Sequence, residues 1–170
     1  MSNLLNFFDE LELEELKKHD SYTKAEKIVR RLFKGKVDKG GNPYLEHLYY
    51  VSNHLEELDM KTVGLLHDLL EDTIITEEDL KLIGFSDKVV NALSIITKDD
   101  NEAYEEYIDR ILESNNMIAI NVKVVDMENN MDLSRIKNPT PRDFNRRENK
   151  YKPNYQRIIN YLKEKENELW

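Results

Sequence analysis

His67, Asp68, Glu71 and Asp72 stand together in the run LLHDLLEDT, four polar groups framed by leucines. Three carboxylates in one small apolar frame cost on the order of several kcal/mol through desolvation and mutual repulsion unless a cation compensates them. A divalent metal would supply that charge. Imidazole beside carboxylate suits a first-row ion, manganese, iron or zinc in preference to calcium. If the run is one helix, His67 and Glu71 share a ridge, Asp68 and Asp72 share the next, and the four side chains cover a connected patch. Adjacent helical residues point about 100° apart, so an ion bound there needs ligands from other elements. His47, in PYLEHLYYV, and Asp126, in VKVVDMENN, are the polar groups best placed to provide them. Asn130 follows Asp126 by four residues and shares its face if that segment is helical. Each residue taken alone has a plainer explanation. His47 would be a hydrogen-bonded core imidazole, Asp126 the partner of Lys123 or an arginine, and Glu71 with Asp72 a solvated helix end. The ordered conjunction carries the weight. His19 and His54 have no acidic cluster in register and read as surface or structural.

The elements that must position these groups are helical. Gly and Pro together number nine of 170 residues, well below the roughly 12% of an average chain, and they cluster between amphipathic stretches. The pattern predicts helical spacing over Leu4–Leu16 and Lys24–Phe33. A loop over Lys34–Pro43 (KGKVDKGGNP) follows, then a helix from Pro43 through Leu58 and another from Met60 to about Leu70. Gly64, three residues before His67, permits a close helix approach. Thr76 followed by Glu77, Glu78 and Asp79 is a helix start, and Ser86–Ile96 and Glu102–Leu112 repeat the amphipathic pattern. Ile118, Ile120, Val122 and Val124 alternate as in a strand, while Met117, Ile118, Val122 and Val125 fit a helical stripe. The residues alone leave both open. NPTP, Asn138–Pro141, breaks the chain before a last helix toward Leu162 or beyond. No repeat or composition shift marks a second domain, so one domain is expected over 1–170.

Composition narrows the chemistry. There is no cysteine, which excludes disulfides, iron–sulfur clusters, thiol nucleophiles and thiolate zinc. The net charge of −9 argues against coating duplex nucleic acid or anionic membrane. It is uneven, because Ser134–Arg157 carries eight basic and two acidic residues. That excess could focus an anionic substrate on an acidic protein, through Arg135, Lys137, Arg142, Arg146, Arg147 and Lys150 with Lys34, Lys36 and Lys39 opposite. Its plain alternative is the charged outer face of a terminal helix. No run of about 18 apolar residues and no signal-like start are present, so a soluble cytoplasmic protein is the default.

His47, then His67–Asp68, then Asp126 resembles the H…HD…D signature of the HD-domain metal-dependent phosphohydrolases. The resemblance is strongest to the RelA/SpoT-type hydrolase branch. Its elements stand here as Gly41-Asn42-Pro43-Tyr44 to His47, Leu65–Thr73, Thr76–Leu80, Thr97-Lys98 and Val122–Asn130, a motif core of about 34–130. The tail through MDLSRI and RRENKY looks like short single-domain bacterial members, with a basic C-terminal helix over about 141–165. The resemblance implies an all-α, single HD-domain helical bundle, and hence a helix at Ile118–Asp126. It implies His47, His67, Asp68 and Asp126 as metal ligands, manganese as the ion, Glu71 and Asp72 as catalytic acids, and Lys36 and Asn130 as substrate contacts. The implied reaction removes a 3′-pyrophosphate from guanosine tetra- or pentaphosphate, a small-molecule nucleotide, with no nucleic-acid duplex or membrane as partner. A nucleotidase or dinucleotide phosphatase of the same superfamily is an alternative, as is a non-catalytic metal- and nucleotide-binding module, or self-association through Leu4–Leu16. The oligomeric state is open. Two positions depart from the branch. Lys36 and Val37 replace its usual Arg-Lys pair, whose arginine packs on guanine, and lysine is the poorer planar stacking partner. Leu48 stands where a proline is usual.

Overall fold

In the computed structural model, which describes residues 2–168, the chain is helical and, among the described residues, extended pairing is limited to an isolated bridge between Val37 and Pro43. The amino-terminal pattern splits. A 3-10 turn over Asn3–Asn6 precedes α1, Glu10–Lys17, because Asp9 caps the helix: its carboxylate accepts the Glu12 amide and Glu12 reaches back to the Asp9 amide. Leu4, Phe8, Leu13 and Leu16 are buried in the chain's own core, which occupies the apolar side of this segment, while Leu11 stays 82% exposed. Helix α2, Ser21–Leu32, starts from an Asp20 cap.

The expected loop then runs to α3, Tyr44–Asn53. Its shape depends on a glycine. A Cβ at Gly40 would collide with the carbonyl oxygen of Arg135, so the loop touches the far turn backbone to backbone. Asp38 fixes it by accepting from the Gly40 and Asn42 amides and pairing with Arg135 at 2.7 Å.

Helix α3 ends five residues earlier than the pattern suggests. Leu55 turns into the core, and α4 begins at Leu58 and runs to Leu66. A Cβ at Gly64 would lie 3.0 Å from Ser52 Cα and 3.0 Å from Leu55 Cδ1, so the absent side chain is what lets α3 and α4 cross closely. The run LLHDLLEDT is not one helix. It breaks at His67–Asp68 before a short α5, Leu69–Asp72. The physical reason is local: His67 Nδ1 bonds the Gly64 carbonyl at 2.8 Å, the acceptor that the Asp68 amide would use in an unbroken helix.

Helix α6, Glu77–Leu82, starts at the Thr76 capping box, and α7, Asp87–Ile96, at Ser86. Helix α8 covers Tyr104–Glu113. The alternating segment is helical throughout as α9, Met117–Met131. It is packed by α3, α4 and α7 on one side and by α8 and the last helix on the other. Burial on most of its circumference removes the one-sided stripe by which a helix is usually read. The carboxy-terminal helix is interrupted: α10, Pro141–Arg146, passes through one π turn, Arg147–Tyr151, into α11, Lys152–Asn167. Pro153 lacks an amide and its ring would crowd the carbonyl four residues back, which a wider turn relieves. Two apolar clusters result, a large one around α2–α7 and a smaller one with Tyr107, Ile108, Ile111 and Ile158, and α9 contributes to both.

Candidate active site

Four of the residues named above converge. His47 comes from the middle of α3, His67 from the end of α4, Asp68 from the break, and Asp126 from α9. The Nε2 atoms of the two histidines face each other at 3.1 Å. Asp68 Oδ2 lies 3.6 Å from His47 Nε2 and 3.2 Å from His67 Nε2. Asp126 Oδ1 lies at 3.3 and 3.6 Å from the same two atoms. The break at His67–Asp68 lets two neighbouring residues aim at one point, which an unbroken helix would prevent.

The ring orientations are fixed from behind. His47 Nδ1 donates to Asn129 Oδ1 at 2.7 Å, and the Arg135 guanidinium bonded to that same oxygen identifies it as the carbonyl end of the amide. His67 Nδ1 donates to a backbone carbonyl. Each ring therefore carries a proton on Nδ1, and both Nε2 atoms point inward beside two carboxylate oxygens. Such a set repels itself unless positive charge lies between its members. Burial alone would depress the His67 imidazole, yet Asp68 and Asp126 override it and hold it well above the usual histidine range. Burial would raise Asp126, but Lys123 and the two histidines bring it well below the carboxylate range.

The donor set fits a first-row divalent ion. Metal–ligand distances of about 2.0–2.2 Å place neighbouring donors roughly 3.0–3.6 Å apart, the spacing seen here. Among the described residues, His47, His67 and Asp68 form a metal-competent group, and Asp126 Oδ1 reaches both imidazoles as well.

The surrounding polar groups were less legible. Tyr44 donates to Asp68 Oδ2 at 2.6 Å, and Lys123, buried, donates to Asp126 Oδ2 at 2.8 Å. The pairing of Asp126 with Lys123, the plain alternative, thus coexists with its place in the cluster. Asn130 Nδ2 bonds Asp126 Oδ1 at 2.6 Å. Glu71 and Asp72 follow on α5. Partial burial and the nearby Asp68 charge push the Glu71 carboxyl up, and its Oε2 accepts only a long 3.4 Å bond from the Lys98 amide. Asp72 Oδ2 takes the Lys36 ammonium at 2.6 Å, and that ammonium also lies 4.3 Å from the Tyr44 ring centre. His19 and His54 stand apart from the cluster, His54 bonded to the Tyr50 carbonyl.

A cavity of about 270 Å³ opens beside His47, lined by Val37, Tyr44, Asn130, Arg146 and Tyr151 among others. Arg135 is committed to Asp38 and Asn129, Arg157 to Asp109, and Arg147 and Lys152 to Glu148, so much of the basic tail is structural. Among the described residues, no helix is long and apolar enough to cross a membrane.

No family model matches the chain. It is 36% identical over 83 residues to a GTP pyrophosphokinase of Myxococcus xanthus, a match covering 46% of this chain and 11% of that protein. It is 35% identical over 82 residues to a guanosine-3′,5′-bis(diphosphate) 3′-pyrophosphohydrolase of Borreliella burgdorferi, covering 46% and 12%. The chain thus spans about a tenth of the length of these curated relatives. Its fold matches the solved structure of a metazoan ortholog of SpoT, reported to hydrolyse ppGpp, with a TM-score of 0.65 over 85% of this chain and 86% of that one at 20% identity. About half of this chain is thus similar in sequence to a part of these relatives, and its helical fold is shared with that solved structure.

Proposed function

We propose that this protein is a manganese-dependent phosphohydrolase, one HD domain over residues 1–170, that removes the 3′-pyrophosphate from guanosine tetra- or pentaphosphate in the cytoplasm. The observation that carries the reading is the pair of inward Nε2 atoms with two carboxylate oxygens at 3.1–3.6 Å. His47, His67, Asp68 and Asp126 would hold the ion. Bound there, it supplies a Lewis acid for a phosphoryl oxygen and a more acidic water.

The remaining work falls to the chain's own groups. Glu71, with no ion-pair partner on its carboxyl among the described residues, is assigned to orient the attacking water and accept its proton. Asp72, tied to Lys36, anchors the α5 end of the site. Lys123 neutralises one oxygen of Asp126, leaving the other directed at the histidines. Asn130, on the cavity wall, holds Asp126 through its amide nitrogen and keeps its carbonyl oxygen for a substrate hydroxyl. Lys36 is assigned to the substrate rim despite its bond to Asp72. Water adds to the 3′-phosphorus, the bond to the ribose 3′-oxygen breaks, that oxygen takes up a proton to leave as the 3′-hydroxyl, and the products are pyrophosphate and GDP from the tetraphosphate or GTP from the pentaphosphate.

Purified protein incubated with Mn²⁺ and guanosine tetraphosphate should yield GDP and pyrophosphate by anion-exchange chromatography. A panel of nucleoside monophosphates and dinucleotide phosphates is run alongside. Turnover confined to one of those, with guanosine tetraphosphate intact, would reject the substrate and retain the reaction class.

A further inference from the structure

One aromatic ring beyond Asp126, next to Lys123, lie two cations, Arg146 and Lys150, that the catalytic assignment does not use. Lys123 Nζ, besides bonding Asp126, stands 5.7 Å from the centre of the Tyr104 ring. Lys150 Nζ stands 4.1 Å from the same centre and 5.6 Å from that of Tyr151. Arg146 lies over Tyr151 at 5.6 Å and bonds its hydroxyl at 2.9 Å. Tyr104 and Tyr151 meet edge to face at 6.1 Å. Asp126 offsets Lys123; ring faces attract the other two cations, but they carry no net charge and cannot neutralise them.

Two features of this group are incomplete. Lys150 is half-buried and, unlike its neighbours Arg147 and Lys152, has no carboxylate partner among the described residues. Burial, together with Arg146, Lys123 and Lys98, pushes its ammonium below the usual lysine range, which agrees with a site short of negative charge. The hydroxyl of Tyr104 is, among the described residues, the buried side-chain polar atom left without a hydrogen-bond partner. Buried polar groups are rarely left so unless something else binds them. A lone cation surplus would suit any anion; a cation with an orphan hydroxyl suits a phosphoryl group, which takes both charge and donated hydrogen bonds. The position is continuous with the cavity, since Arg146 and Tyr151 line the same space as His47 and Asn130.

We propose that Lys150 and the Tyr104 hydroxyl seat a second phosphoryl group, one bridging oxygen beyond the group held at the His–Asp centre, so that the site selects a diphosphate over a monophosphate. This rests on the reading that a phosphoryl group is held at that centre, and the π turn at Arg147–Tyr151 is what brings Lys150 and Tyr151 to its edge.

The test is calorimetric titration of the Mn²⁺-loaded protein with inorganic pyrophosphate and, separately, orthophosphate, each corrected for ion binding in buffer. The wild-type chain should bind pyrophosphate at least about tenfold more tightly than orthophosphate. Lys150→Met should remove about tenfold from pyrophosphate affinity and leave orthophosphate within twofold. Lys150→Arg should retain most of the preference. Tyr104→Phe should weaken pyrophosphate by about threefold without lowering the melting temperature, since it deletes an unpaired hydroxyl. Unchanged pyrophosphate affinity in Lys150→Met and Tyr104→Phe would overturn the proposal, as would equal losses for both anions. Pyrophosphate selectivity that survives in a protein unable to hydrolyse guanosine tetraphosphate would remove the substrate assignment and leave this subsite standing.

Discussion

His47 and His67 each direct one ring nitrogen to a fixed acceptor, which leaves the other no choice of role. Asn129 is therefore the lever on His47. Replacing it by Ala should weaken Mn²⁺ binding by about 10–100-fold, the usual consequence of losing an outer partner of a ligating histidine; electron paramagnetic resonance titration of free Mn²⁺ reads this directly. Glu71→Gln should lower kcat by about 10²–10⁴-fold with the ion still bound, measured as single-turnover hydrolysis beside metal content. A variant that kept the wild-type rate would remove Glu71 from the mechanism. The four converging side chains were legible in the sequence because their types and order survive without knowledge of packing. Asn129, Tyr44 and the Lys36–Asp72 pair were not, because each is defined only by an atom from a distant element: α9 behind His47, the loop before α3 beside α5.

At the level of elements, the close crossing of α3 and α4 and the break after His67 decide whether the imidazoles meet. A Cβ on Gly64 would press on the Ser52 backbone, which cannot rotate away. Gly64→Ala should cost about 1–3 kcal/mol by overpacking and weaken Mn²⁺ binding, because α4 must shift relative to α3. Urea denaturation together with metal titration checks both; full metal affinity at reduced stability would show that the crossing has slack. The glycine was readable as a close approach, whereas the break was not, since the leucine pattern of LLHDLLEDT suits a continuous helix and the interruption comes from a histidine side chain competing for a backbone carbonyl. Helix α9 shows the opposite failure. Its alternating isoleucines and valines mimic a strand because both sides of the helix are covered.

Across the whole molecule, the amino terminus is pinned to the middle of the chain by one carboxylate. Asp79, only 2% exposed, accepts from Ser2 Oγ at 2.7 Å, from the Asn3 amide and Nδ2 at 2.9 Å, and from the Thr76 amide and hydroxyl at 3.0 Å. Burial would raise it, but these donors bring it down to about 2. Its unfolded value is about 3.9. A depressed carboxyl stabilises the folded state above its unfolded pKa, and the contribution, about 2 kcal/mol here, fades as pH falls toward the folded value. Asp79→Asn should therefore be less stable than wild type at pH 7, with the gap narrowing between pH 4 and 2; a constant gap would assign the loss to packing. The charge asymmetry seen in the sequence persists in the fold, but pairing of Arg135, Arg147, Lys152 and Arg157 with carboxylates leaves fewer cations for a substrate than a residue count suggests.

Electron paramagnetic resonance titration of metal-stripped protein with Mn²⁺, compared with His67→Ala and Asp126→Ala, addresses the central claim most directly. One ion per wild-type chain is expected, with affinity at least about 100-fold weaker in either variant while both remain folded. Wild-type protein that binds no ion, or variants that bind it as tightly, would contradict a metal centre built from these four side chains.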